Sequence, residues 1–267
     1  MNLIRADFYK IFRSVSFWIV FTLMTVCGGC FVYISYAVES GRLGMEVTST
    51  AALLMDTMMV TIIGPVMAAL FVCSDFQNKS IQSSILYGRG RKMIVWTKLV
   101  AYSTAMFLVT LPYAIATFIG YCSGVKFNLL FAKSVDSAYM SILANEAGAG
   151  RTASEICRLL LVLFIITMVH VSRCSLCVLM SYLVKSPVGV IAGGIVAELF
   201  LSILAVAGAG SEVVTSMIGW TPFISMQNHF LMNTEMLQLL KSFGTSLVFM
   251  LIIGNITVGI FSRAEVK

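Results

Sequence analysis

The chain has 267 residues, of which 59% are hydrophobic and 11% charged, and it carries a net charge of +6. A water-soluble domain with so few charges would expose large apolar patches and aggregate, and the mean hydropathy of +0.94 points to lipid as the main solvent. Lys and Arg are split among short segments between apolar runs, a pattern of membrane topology that argues against a nucleic-acid surface.

The first element is amphipathic. Leu3, Ile4, Phe8, Ile11, Phe12 and Val15 recur at helical spacing, with Arg5, Asp7, Lys10 and Arg13 on the remaining surface. Residues 2–15 therefore read as a helix lying in the membrane interface, its basic side chains among anionic headgroups. Six apolar runs follow, near 16–38, 51–73, 99–122, 157–184, 188–209 and 243–261. Each is long enough to cross a hydrocarbon core of roughly 30 Å as a helix. The first runs on to Val38, too long for a signal-peptide core, and reads as an uncleaved signal-anchor. The expected fold is a single all-α integral membrane domain, 1–267, with six transmembrane helices and no repeat or linker.

Basic residues set the orientation. With the N-terminus inside, Arg5, Lys10, Arg13, Lys79, Arg89, Arg91, Lys92, Lys98, Lys185, Arg263 and Lys267 are cytoplasmic. Arg42, Lys126, Lys133, Arg151, Arg158 and Lys241 lie opposite. This asymmetry places both termini in the cytoplasm of a cell, taken as bacterial, whose plasma membrane holds the chain.

Between the second and third spans runs "DFQNKSIQSSILYGRGRKMIVWTKL", residues 75–99. The apolar run stops at Asp75; Ser80 is suited to cap a short helix bearing Ile81, Ile85 and Leu86 on one side. Gly88 and Gly90 break that helix, and Arg91 opens the next. Two turns of helix are marginal alone in water, so the segment needs its flanking spans or a docking partner. A short basic loop that only fixes orientation is the plain alternative. This stretch resembles the first cytoplasmic loop of type-2 ABC exporter permeases. Asp75, Phe76, Ser80, Ile81, Leu86, Gly88, Arg91 and Lys98 fill the loose pattern of acidic residue, aromatic, Ser/Thr, apolar helix, Gly, Arg and Lys. The likeness extends to the amphipathic start, the six spans and the chain length, and leans toward small bacterial permeases for peptides, bacteriocin immunity or antibiotics. It implies that residues 80–87 form a coupling helix docking on a separate ATPase subunit, which holds ATP and Mg. It also implies that two permeases, identical or related, work together. On that reading Asp75, Ser80, Ile81, Ile85, Leu86, Gly88, Gly90 and Arg91 make the partner-binding element.

The chain has no G-x-x-x-x-G-K-[ST] loop and no nucleophile–base–acid arrangement, so it reads as a transport subunit that binds no cofactor itself. Three ionisable residues fall inside spans: His170, Arg173 and Glu198. Counted from Pro187, Glu198 lies 11 residues after and Arg173 14 before. At 1.5 Å per residue their depths differ by about 4.5 Å, which predicts an ion pair with His170 one turn away. The group either fixes helix packing or lines a polar path. An ion-coupled secondary transporter would use it for coupling, and a membrane sensor or assembly factor would need only the basic loop. The Cys27/Cys30 and Cys174/Cys177 doublets lack the loop geometry of metal sites and read as packing residues, while Cys122 and Cys157 flank the long outer loop as candidates for a disulfide. Pro65 and Pro112 are expected to kink the second and third spans. Thr152 and Glu155 form a capping box before the fourth span. Trp220, Phe223 and Phe230 suit an outer interface.

Overall fold

The computed structural model describes residues 2–123, 137–145, 152–208, 219, 221–223, 230, 232 and 234–263. Among these residues the regular elements are all helical. They are α1 (Asn2–Arg13), α2 (Val15–Glu39), α3 (Thr48–Leu53), α4 (Asp56–Gln77), α5 (Ser80–Leu86), α6 (Arg91–Ser123), α7 (Met140–Asn145), α8 (Ala153–Val184), α9 (Pro187–Gly208) and α10 (Met236–Arg263). Helices α2, α4, α6, α8, α9 and α10 are each long and apolar enough to cross a membrane, so the chain is a multi-pass membrane protein. Lys126, Lys133, Arg151, Trp220, His229 and Lys267 lie outside the described residues.

The burial pattern follows the lipid solvent. On α2, Phe17, Val20, Met24, Cys27, Phe31 and Val38 form one buried stripe, while Ile19, Leu23, Val26 and Tyr33 are exposed. The most apolar span, α9, exposes Val188, Val196, Phe200, Ile203 and Val206 yet buries Glu198. A helix that turns its greasy side outward and its carboxylate inward is ordered for hydrocarbon, not for water. The centre of the bundle is α8, packed against α4, α6, α9 and α10.

Several spans begin earlier or later than hydropathy placed them. Helix α4 starts at Asp56 rather than 51, because the chain breaks at Met55 (φ −66°, ψ 147°) after the separate helix α3. Helix α6 starts at Arg91, α8 at Ala153 and α10 at Met236, all before their apolar runs. Backbone hydrogen bonding continues each helix beyond its apolar run, where composition turns polar. At 32 residues α8 is about 48 Å long, well beyond the hydrocarbon thickness. Its capping box is present: the Thr152 N–H donates to Glu155 Oε2 at 3.0 Å.

Helix α4 is the irregular one. Pro65 has no N–H to give the Thr61 carbonyl, and the helix widens into a π turn over Ala69–Cys73. Glycines let neighbours close on it: a Cβ on Gly194 of α9 would stand 2.8 Å from the Pro65 ring, and one on Gly64 2.8 Å from Cys174 Sγ. The Tyr102 hydroxyl of α6 donates to the Gly64 carbonyl at 2.9 Å, pinning the same turn.

Helix α1 meets the bundle with part of its expected apolar face and, beside it, Asp7. Asp7 and Ile11 are buried, Leu3 packs on the core, and Tyr9 and Phe12 are exposed. Asp7 turns inward because α6 offers it a cation, described below. Only Ser14 separates α1 from α2, and the Trp18 indole donates to the Phe12 carbonyl at 2.9 Å across that corner.

Candidate functional site

Two polar centres stand out, one at the end of the bundle near α5 and one in its middle. At the first, Lys98 of α6 pairs with Asp7 of α1 and Asp75 of α4, and Lys10 of α1 pairs with Asp75 as well. Lys98 and Asp75 are buried at 7% and 2% exposure, whereas the Lys10 side chain is 42% exposed. Two carboxylates and two ammonium groups sum to zero, which is the condition for burying them together. The network ties α1, α4 and α6 into one unit. Beside it Phe76 of α4, Tyr182 of α8 and Phe261 of α10 form an edge-to-face cluster, with centroids 5.1 Å apart for Phe76–Tyr182 and Tyr182–Phe261.

Helix α5 stands on this platform. Lys79 enters it in the left-handed conformation (φ 56°) and Gly88 leaves it at φ 75°. Ser80 is therefore the first helical residue and makes no capping bond, contrary to expectation. Ser83 and Ser84 instead donate back to the carbonyls of Lys79 and Ser80, at 3.2 and 2.9 Å. Ile81 is sealed into the bundle at 1% exposure and Ile85 packs partly on the core. Leu86 and Tyr87 point away, 87% and 85% exposed.

The residues of the expected partner-binding set are placed unequally. Asp75 and Ile81 are turned inward and offer a partner no surface. Arg91 is engaged at home, donating to the Phe261 and Ser262 carbonyls at 3.1 and 2.9 Å and so capping the end of α10. Of the two glycines only Gly88 needs its identity, since Gly90 has no left-handed angle. The outward residues are Leu86 and Tyr87. Tyr87 was not in the expected set, although its place next to Leu86 before a turn glycine was visible.

The second centre joins α4, α8 and α9 with the segment at 137–145. Arg173 Nη2 lies 3.1 Å from Glu198 Oε2, and it also donates to Thr61 Oγ1 and Ser202 Oγ, each at 3.3 Å. Its guanidinium sits 5.0 Å from the Phe223 ring centre. His170 does not join this pair directly. Its Nε2 lies 3.0 Å from Asp56 Oδ2, while Asp56 Oδ1 accepts from Ser137 Oγ at 2.6 Å. Tyr139 shares a 2.8 Å hydrogen bond with Thr167 and stacks on His170 at 5.6 Å between centroids. Burial pushes the Tyr139 phenol far above its usual range, so it stays neutral. Asp56, His170 and Glu198 are all completely buried and Arg173 nearly so.

Asp56 and Ser137 were missed by sequence reasoning. Asp56 is the one acidic residue within 51–73, and an acid at that depth demands a partner. Phe223 and Phe230, expected at the outer interface, are buried at 2% and 0%, the Phe223 ring lying against the Arg173 guanidinium. The seven cysteines are all free thiols, Cys122 and Cys157 included. Cys27 and Cys174 are buried while Cys30 is exposed, and no cluster of three or more metal-ligating side chains occurs among the described residues. The chain matches no protein-family model and no curated protein.

Proposed function

We propose that the chain is the membrane-spanning permease subunit of an ATP-driven exporter for a peptide or amphipathic small molecule. It would pair with a second permease, identical or related, and with separate ATPase subunits that hold ATP and Mg. The observation that carries this reading is the α5 helix: its inner side is anchored through Ile81, while Leu86 and Tyr87 stand almost fully exposed at its tip. A two-turn helix rigidly seated yet presenting two large apolar side chains is built to hand force to or from a partner. On this reading α5 is the cytoplasmic coupling helix, α1 lies in the cytoplasmic interface, and both termini are inside.

The mechanism is mechanical. Pressure on α5 passes through Ile81 into the platform and through Asp75 and Lys98 to α1 and α6 together. The Pro65 break and the π turn give α4 a place to yield, so the part beyond it can shift relative to the platform. An apolar cleft of about 380 Å³ between α2 and α6, lined by Gly29, Tyr33, Tyr36, Ala116 and Ile119, suits the apolar side of such a cargo.

A second reading is favoured by the buried Asp56, His170, Arg173 and Glu198: an ion-coupled carrier that runs without ATP. Expression of the chain with its genomic neighbours separates the two. A P-loop protein is expected to co-purify with the wild type, and Leu86→Asp is expected to weaken that association about tenfold or more with expression unchanged. Equal binding to the variant would show that α5 is not the docking element.

A further inference from the structure

Helices α2 and α6 touch at Gly28, where a Cβ would stand 3.4 Å from Tyr113, and part toward their C-terminal ends. The apolar cleft that opens there is lined by Gly29, Val32, Tyr33 and Tyr36 on one side and by Ala116 and Ile119 on the other. A Cβ on Gly29 would meet nothing within 4 Å, so the space is open, and the exposed Tyr33 and Ile119 leave it open sideways to hydrocarbon. From residue 29 to residue 36 the cleft runs roughly 10 Å along α2, most of one leaflet of a hydrocarbon core about 30 Å thick. A groove that follows two membrane-crossing helices also runs parallel to the chains of the surrounding lipid.

The cleft has a cation at its mouth. Helix α2 ends at Glu39, and Gly41 takes a left-handed angle (φ 70°) that turns the chain back on the helix. The N–H groups of Arg42 and Leu43 both donate to the Ala37 carbonyl, at 2.9 and 3.1 Å. This return sets the Arg42 guanidinium over the Tyr36 ring, 5.9 Å from its centre. Tyr36 is thus at once a wall of the cleft and the seat of the cation. Arg42 is exposed and forms no ion pair among the described residues, so its charge is left for something outside them.

We propose that this cleft is a binding site for an anionic phospholipid, with one acyl chain along residues 29–36 and the phosphate on Arg42. The apolar walls take the chain, and the planar guanidinium takes the phosphate through parallel N–H donors. A zwitterionic lipid of the same chain brings its own cation and gains less from Arg42, so headgroup charge sets the preference. The site goes beyond the export reading and stands whether or not the chain meets an ATPase; on that reading, cargo enters the cleft by displacing the lipid.

The test uses the full chain in phosphatidylcholine nanodiscs doped with phosphatidylglycerol carrying a diazirine on its acyl chain, or with phosphatidylcholine bearing the same chain. Adducts are mapped by mass spectrometry, with the exposed side of α9 at Val196, Phe200 and Ile203 as the reference for chance contact. Relative to α9, phosphatidylglycerol is expected to label residues 29–36 and 116–123 about fivefold more than phosphatidylcholine does, the attraction of one basic residue for an anionic lipid. Arg42→Gln should remove this preference. Gly29→Leu, which extends into open space, should lower cleft labelling by both lipids. Equal labelling of the wild-type cleft by the two lipids would overturn the site without any variant having to fold. So would a preference that survives Arg42→Gln, or cleft labelling that Gly29→Leu leaves unchanged.

Discussion

Glu198→Ala is expected to destabilise the protein by about 3–5 kcal/mol, read as thermal unfolding in lipid nanodiscs. Arg173 is 1% exposed, and its carboxylate partner lies 3.1 Å away. Removing that partner leaves, among the described residues, a guanidinium supported by two hydroxyls, Thr61 and Ser202, and the face of Phe223. None of these carries a full charge. The pair itself is worth far less than its rupture, since each ion gave up its hydration to enter the bundle. The double variant Arg173→Met/Glu198→Leu should therefore recover most of the loss, to within about 1–2 kcal/mol of wild type. An unchanged unfolding temperature for Glu198→Ala would mean that Arg173 reaches water.

Lys98→Ala is expected to cost a similar amount, about 3–5 kcal/mol, and to loosen a defined region. Among the described residues Lys98 is the cation shared by Asp7 and Asp75, and without it two buried carboxylates face each other with the half-exposed Lys10 nearby. Repulsion should drive α1 off α6, freeing the corner at Ser14 and the platform beneath α5. Limited proteolysis should then cut between residues 1 and 14 or 78 and 90 in the variant and spare both in wild type. Raising salt should affect the wild-type network little, because buried pairs are poorly screened. Lys98→Ala with wild-type stability and protease resistance would contradict the burial of this network.

The long spans were legible because about twenty consecutive apolar residues leave little else to build. The Arg173–Glu198 approach was legible for a related reason: the tight turn at Pro187 fixes the relative depth of two helices, so counting residues located both side chains. Facing was harder. Leu3, Phe8 and Phe12 defined an apolar stripe on α1, yet Asp7 is buried because Lys98 waits for it, and a partner more than ninety positions away is invisible to periodicity. Ile81, Ile85 and Leu86 share an apolar character but divide between anchor and tip, a choice made by the left-handed turns at Lys79 and Gly88. Asp56 escaped notice because its partners come from α8 and from the segment at 137–145, both remote in sequence.

The sidedness of Tyr87 decides whether α5 can meet an ATPase. A cysteine placed there, in intact cells and in inverted membrane vesicles, can be offered a maleimide that does not cross the bilayer. Labelling is expected in inverted vesicles, with protection in intact cells and renewed protection in vesicles once a P-loop partner is bound. Labelling from outside intact cells would put α5 beyond the reach of any ATPase and contradict the proposed coupling.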